Sequence, residues 1–296
     1  MASTENDAGP ARIRALGAGD LAGAQRLSQS AQWNQNENDW SMMLRLGQGW
    51  GIDAADETGV ARLAASIVVL PYGTRFAWVS MVLVVPEMRR RGYAQLLLRH
   101  VLAHLAAQRR AALLDATPAG HAVYVHEGFV DTWGFARYRR EARVPLPPRP
   151  PAPASRALTD SDWPAIDALD RVAFGASRLP LLRGLAQRLP QAARVLEQGG
   201  RLRGYVLGRE GREALQIGPL CADDADVASA LLHDALQPYA AEAVFVDLLD
   251  RQRALLPWLQ QQGFVFQRPF TRMVHGGAAA PGDPTTIVLA AGPELG

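Results

Sequence analysis

A chain of 296 residues that is 48% hydrophobic and 20% charged has the apolar mass for more than one packed core, and its length makes two domains the natural division. A net charge of +2 supplies no dense basic face for nucleic acid, and no uninterrupted run of about eighteen apolar residues is present to span a membrane, so neither is expected as a partner. The amino terminus lacks a charged start followed by an apolar stretch, which makes the cytoplasm the expected compartment; all 31 Lys+Arg residues are arginine, excluding lysine Schiff-base chemistry, and the single Cys221 excludes an internal disulfide or a cysteine-rich metal site.

Residues 1–10 are expected to be a disordered start. Ala11 to Leu16 reads as a first strand, and Asp20 is placed to cap a helix running to about Gln29. A helical region from Trp33 to Leu46 follows, with Trp33 and Trp40 two turns apart. Gly49 to Ala54 and Gly59 to Leu70 read as strands joined at the acidic turn Asp56-Glu57-Thr58-Gly59. Trp78 to Val85 is almost continuously apolar, as a strand buried on both faces would be, and Pro86 closes it because it has no N–H for a ladder. From Gly92 the period changes to that of a helix, with Leu97, Val101 and Leu105 on one stripe. The first N–H groups of such a helix have no intrahelical partner, and its dipole favours an anion. Gly92 and Ala94 remove side-chain bulk there, and Arg89, Arg90 and Arg91 add positive charge. The physical reading is a pyrophosphate cradle. Ala111 to Ala116 is then a strand ending in a turn, followed by the short segment Tyr124-Val125-His126-Glu127-Gly128-Phe129.

Arg89-x-x-Gly92-x-Ala94 after a strand resembles the [Gln/Arg]-x-x-Gly-x-[Gly/Ala] signature of the GNAT superfamily of N-acetyltransferases. The closing half is similar as well: a strand, a short helix with Tyr124 four residues before Gly128-Phe129, and a final strand. Leu114-Asp115-Ala116-Thr117-Pro118-Ala119-Gly120 resembles a subgroup with two such domains in tandem. The resemblance implies acetyl-CoA as co-substrate. Its pyrophosphate would lie against Arg89, Arg90, Arg91, Gly92, Tyr93, Ala94 and Gln95, and its pantetheine arm along the backbone of Val82, Leu83 and Val84. It also implies an acceptor pocket walled by the early helical region, with Trp33, Glu37 and Trp40 as substrate contacts; core anchoring is the competing reading for both tryptophans.

Acetyl transfer to an amine needs a neutral nucleophile, a polarised thioester carbonyl and a proton for the departing thiolate. A tyrosine, with a pKa of about 10, is matched to a thiolate of comparable basicity. Tyr124 occupies the position of the general acid in many members of the family. For the base, Asp115 at the strand end competes with Glu37 and Asp39, with a water relay, and with a purely turn-capping role for Asp115 itself. His100 and His104 have the spacing of a zinc-protease pair, but Val101 stands where that motif needs Glu and no third ligand is near, so no metal is expected.

Val144-Pro145-Leu146-Pro147-Pro148-Arg149-Pro150-Pro151-Ala152-Pro153 can form neither helix nor central strand and reads as a spacer. The expected organisation is a catalytic domain over 11–144, a linker over 145–155, a second unit of the same plan over 156–275, and a tail over 276–296. In the second unit, helices are expected from about Asp162 to Phe174 and from Ser177 to Leu189, with Ser177 as a cap. A hairpin follows around Gly199-Gly200, then a strand at Leu215 to Leu220 and a helix at Val227 to Leu236. Its counterpart of the cradle is Asp223-Asp224-Ala225-Asp226, without glycine, and Leu259 stands where Tyr124 stands in the first. Carboxylates suit a helix start but repel a pyrophosphate, and leucine donates no proton. Arg268 to Met273 would be the last strand of that unit. Ile287 to Ala290 has the character of a buried strand, expected to dock as a strand or to line the pocket.

The fold class is therefore α/β, with two tandem GNAT-like domains, each a mostly antiparallel twisted sheet flanked by helices. The function this implies is N-acetyl transfer from acetyl-CoA to an amine by direct attack in a ternary complex. A small-molecule amine is the first expectation for the acceptor, and a protein N-terminus and a homodimeric state are left open. The alternative is a non-catalytic acyl-CoA-binding or sensing protein, or an interaction protein, with a GNAT fold.

Overall fold

The structure, a computed structural model, describes residues 12–55, 59–149, 154–276 and 279–296. Residues 1–10, most of the acidic turn after Ala55 and the centre of the proline-rich spacer lie outside that set. The N-terminal half is built from β1 (Ile13–Leu16), α1 (Leu21–Ser30), α2 (Glu37–Leu46), β2 (Gln48–Ala55), β3 (Ala61–Tyr72), β4 (Phe76–Val84), α3 (Tyr93–Ala107), β5 (Ala111–Ala116), α4 (Pro118–His126) and β6 (Phe129–Arg140). The C-terminal half repeats the plan with β7 (Arg156–Ala157), α5 (Trp163–Phe174), α6 (Leu179–Arg188), β8 (Arg194–Gln198), β9 (Arg201–Arg209), β10 (Leu215–Ala222), α7 (Ala225–Leu236), β11 (Val244–Leu249), α8 (Leu256–Gln261) and β12 (Phe264–His275). β13 (Ile287–Leu289) closes the series.

Local chemistry sets the element ends. Asn36 accepts from the Asp39 N–H at 3.1 Å, and Asp39 accepts in return from the Asn36 N–H at 3.0 Å. This reciprocal cap starts α2 at Glu37, so Trp33 to Asn36 lie before the helix and not within it. Ser177 does not cap α6: Arg178 holds the cap position, and the Ser177 hydroxyl donates to Asp167.

The strands form one sheet in the order β1-β2-β3-β4-β5-β12-β6-β11-β13-β10-β9-β8-β7. The two halves have exchanged their closing strands. β12, expected as the last strand of the second unit, lies between β5 and β6, from Thr271↔Ala116 to His275↔Ala112 on one side. β6 pairs with β11 from Val244↔Arg140 to Leu249↔Phe135. The proline-rich segment thus divides the chain but not the sheet. A buried ion pair joins the two halves here. Arg272 of β12 donates to both oxygens of Asp115 of β5, at 2.9 and 2.9 Å, with its guanidinium sandwiched between Trp78 and Trp133 at 4.3 and 4.0 Å. Removing one partner of such a buried pair costs about 3–5 kcal/mol, because the other charge is left uncompensated.

Apolar side chains pack on both faces of the sheet. Trp40, Trp78, Phe174 and Leu182 belong to one core cluster, and Leu97, Leu98, Val101 and Met273 belong to another under α3. His100 and His104 stand edge-on to Trp50, at 5.5 and 5.1 Å. Cys221 is fully buried, and desolvation pushes its thiol up to about 12. Since the thiolate is the reactive form, Cys221 is expected to resist a soluble thiol reagent in the native protein and to be labelled only as circular dichroism reports unfolding. Labelling without loss of structure would contradict this packing.

Candidate active site

β4 and β5 run parallel and pair only at Phe76↔Ala111, Ala77↔Ala112 and Trp78↔Leu113. Beyond Trp78 they diverge. The cause lies in β4, where Met81 takes a positive φ of 52° and the register against β3 shifts between Ser66 and Val68. Such a bulge bends a strand away from its neighbour. The opening is a narrow cleft of about 30 Å³, entered by Ser80 and Val82 from β4, Asp115 from β5 and Tyr124 from α4. On its β5 side, the end of β4 has no strand partner among the described residues for its backbone groups. Val82 lines the cleft, whereas Leu83 packs into the core and Val84 sits opposite Ala65 of β3.

β4 leads through a short turn at Pro86–Met88 into α3. Gly92 is the N-cap of α3 with φ 81°, and no side chain caps the helix. A Cβ at Gly92 would meet open space, so it is the left-handed backbone that requires glycine here. The N–H groups of Tyr93, Ala94 and Gln95 open the helix with no intrahelical acceptor. Arg90 and Arg91 are exposed and make no ion pair among the described residues. The Arg89 side chain turns back to donate to the Val84 carbonyl at 3.3 Å. Gln95 donates to Glu127, which also holds Arg99.

Tyr124 lies edge-on to Phe129, and its hydroxyl has no hydrogen-bond partner among the described residues. Burial raises its pKa to about 12. Asp115 reaches the cleft, but Arg272 engages both its oxygens, and desolvation pushes its carboxyl up against the pull of that arginine. Of the expected acceptor contacts, Trp33 lines the cleft. Two others do not. Trp40 is fully buried, donating its indole N–H to Ser28 at 2.8 Å, because its face of α2 packs on the core; Glu37 is exposed in the first turn of α2. Asp39, the other carboxylate of that segment, is buried between Arg188 and Arg209 at 2.6 and 2.9 Å.

The cleft also contains residues the sequence reading did not single out. After β13 the chain brings Pro293 and Glu294 to it. Trp78 donates to the Pro293 carbonyl at 3.0 Å and Tyr72 to the Leu295 carbonyl at 2.7 Å, while Arg178 donates to the Gly296 carbonyl at 2.6 Å. Glu294 is 2% exposed; Oε1 accepts from Arg209, and Oε2 has no partner among the described residues. Gln35 Oε1, Ser80 Oγ and Arg268 Nε also line this cleft, buried and unpartnered among the described residues. Buried polar atoms are normally satisfied, so four at one cleft mark a place for a polar ligand. The only local signal for Glu294 was its position just beyond an unexpectedly apolar terminal strand.

The C-terminal half has the same opening, filled. β10 and β11 pair in parallel at Leu215↔Val244 to Ile217↔Val246 and then part. β13 lies between them, with Leu289 against both Leu220 and Leu248. The start of α7 is capped by Asp224, which accepts from the Val227 N–H at 2.9 Å, and Asp223 and Asp224 together hold Arg203. Leu259 is fully buried in the core beside α7.

Residues 24–129 match a profile described as the acetyltransferase (GNAT) family, and residues 166–288 match one described as an acetyltransferase (GNAT) domain. The chain belongs to the GNAT superfamily, with one domain in each half. A Bacillus subtilis (strain 168) relative, "Uncharacterized N-acetyltransferase YitH", is 24% identical over 213 residues, which is 72% of this chain and 73% of the relative. Among solved structures, a putative acetyltransferase from Pyrococcus horikoshii aligns with a TM-score of 0.79 at 20% identity, covering 96% of this chain and 95% of its own. A tandem GNAT protein from the clavulanic acid biosynthesis pathway aligns with a TM-score of 0.63 at 16% identity, over 91% and 100%. Among the described residues, no helix of this tandem GNAT protein is long and apolar enough to cross a membrane.

Proposed function

We propose that the N-terminal half transfers an acetyl group from acetyl-CoA to an amine by direct attack within a ternary complex. The observation that carries the reading is the β4–β5 opening, which holds in one cleft the Tyr124 hydroxyl and Glu294 Oε2, both unpartnered among the described residues, while the strand that lines it, β4, leads on to an uncapped helix start. Gly92, Tyr93, Ala94 and Gln95, with Arg90 and Arg91, would hold the pyrophosphate of acetyl-CoA, which supplies an activated thioester when bound. The backbone of β4 around Val82 would receive the pantetheine arm and polarise the thioester carbonyl.

Glu294 accepts the proton that the ammonium form of the acceptor must lose before its nitrogen can attack. Tyr124 donates its proton to the departing sulfur. Asp115 and Arg272 keep the floor of the cleft rigid. The narrowness of the cleft favours a small-molecule amine. In the C-terminal half, β13 takes the place between the parallel strands and Asp224 takes the place of an anion at the helix start, so that half is read as a scaffold.

Calorimetric titration with acetyl-CoA tests this. One site per chain is expected, lost in Gly92→Glu, where a side chain at φ 81° and a carboxylate both oppose the pyrophosphate. Two sites per chain would overturn the reading of the C-terminal half, and absence of binding would overturn the function.

A further inference from the structure

A vestibule of about 490 Å³ adjoins the cleft, with Arg137 and Arg268 lining both. Arg139 and Arg212 complete its basic wall, and among the described residues Glu213 is the only carboxylate on it. Three of these arginines have partners: Arg137 is bidentate to Asp247 at 2.8 and 2.8 Å, Arg139 pairs with Glu141 at 2.8 Å, and Arg212 with Glu213 at 2.6 Å. Arg268 makes no ion pair among the described residues. Its guanidinium lies 5.1 Å from the centre of the Phe270 ring, and its buried Nε has no acceptor.

Arg268 is also placed at a cost. It stands in register with Arg137 across the β12–β6 pair, a like-charge arrangement that destabilises a sheet. Burial and Arg137 together pull its pKa down. A register shift between Phe266 and Arg268 sets where the side chain points. Arg268 and Glu294 line one cleft without an ion pair between them, so a cation and an anion face a shared space.

We infer that the acceptor is a small, amino-acid-like molecule carrying both an amine and a carboxylate, with the carboxylate held by Arg268 and the amine directed at Glu294. This rests on the acetyltransferase reading above. The remainder of the acceptor occupies the basic vestibule. The ammonium gives one proton to Glu294; the neutral nitrogen then forms the C–N bond as the C–S bond breaks, the sulfur takes the Tyr124 proton, and the second proton shed by the nitrogen returns to the Tyr124 oxygen. The products are an N-acetylated amino acid and free CoA thiol.

The test compares the common L-amino acids with their C-terminal amides, following CoA thiol release. The amide has the less basic amine and hence more neutral nucleophile, so a preference for the acid reports carboxylate recognition. For the accepted side chain, kcat/KM is expected to favour the acid by about 10- to 100-fold, the worth of one charge-assisted pair. Arg268→Gln should bring that ratio to about one, mainly through KM, and Arg268→Lys should restore part of it. Amides or short peptides acetylated as well as the acids would overturn the inference while leaving acetyl transfer standing. So would CoA-loaded protein that, by calorimetry, neither binds nor turns over any amino acid. Absence of acetyl-CoA binding would instead remove the acetyltransferase reading itself.

Discussion

Replacing Tyr124 with phenylalanine is expected to lower kcat by about 10²- to 10³-fold, the range of a positioned general acid, while leaving the Kd for acetyl-CoA nearly unchanged. The ring keeps its packing on Phe129 and the Gly120 backbone, so the variant should fold normally. Only the hydroxyl is lost, and with it the proton for the departing thiolate. The pH profile carries a second expectation. Burial raises the Tyr124 pKa to about 12, so the hydroxyl stays protonated as pH rises through the neutral and mildly alkaline range. No descending alkaline limb should arise from it below roughly pH 11. Stopped-flow or steady-state rates across pH check both. A variant with wild-type kcat would remove Tyr124 from the mechanism and leave water as the proton source.

Glu294→Gln is expected to have an effect of similar size, about 10²- to 10³-fold on kcat at neutral pH. Glutamine keeps the shape of the side chain and an acceptor for Arg209, which also retains its 2.9 Å bond to Asp39, so the melting temperature should fall only modestly. What disappears is the free oxygen in the cleft. Because the defect is in removing a proton from the amine, it should shrink as pH rises and the acceptor deprotonates in solution. The ratio of wild-type to variant rates across pH reads this directly. A ratio that stays constant with pH would argue for a positioning role, and an unchanged rate would return the base to water.

Both residues contribute to one cleft, but they differ in how visible they were. Tyr124 is legible because its spacing to Gly128-Phe129 is local and a short helix fixes it. The cradle is legible for the same reason, since an apolar strand, a proline, an arginine cluster and Gly92 follow one another within a few residues. The contrast with Asp223 and Asp224 was likewise visible, and the cap that Asp224 makes on α7 is the ordinary consequence of a carboxylate at a helix start. Asp115 shows the limit. Its position at a strand end was readable, but the partner that engages both its oxygens, Arg272, is 157 residues away. Trp33 and Trp40 share a helical spacing, yet the Asn36 cap starts the helix between them, so one reaches the cleft and the other the core.

The order of strands and helices, the arginine-glycine turn into α3, the place of Tyr124 on its short helix and the acidic counterpart of that turn in the second half were determined by the sequence itself, because period, turn chemistry and capping act between near neighbours. The exchange of β6 and β12, the insertion of β13 between β10 and β11, and the arrival of Glu294 in the cleft that Tyr124 lines were decided only by the tertiary structure. Two halves built on one plan offer closing strands of similar pattern, and alternation along a strand says which face is buried but not which strand lies beside it. That choice belongs to contacts between distant residues, of which the buried Arg272–Asp115 pair and the carbonyls of Pro293 and Leu295 held by Trp78 and Tyr72 are the ones that shape the site.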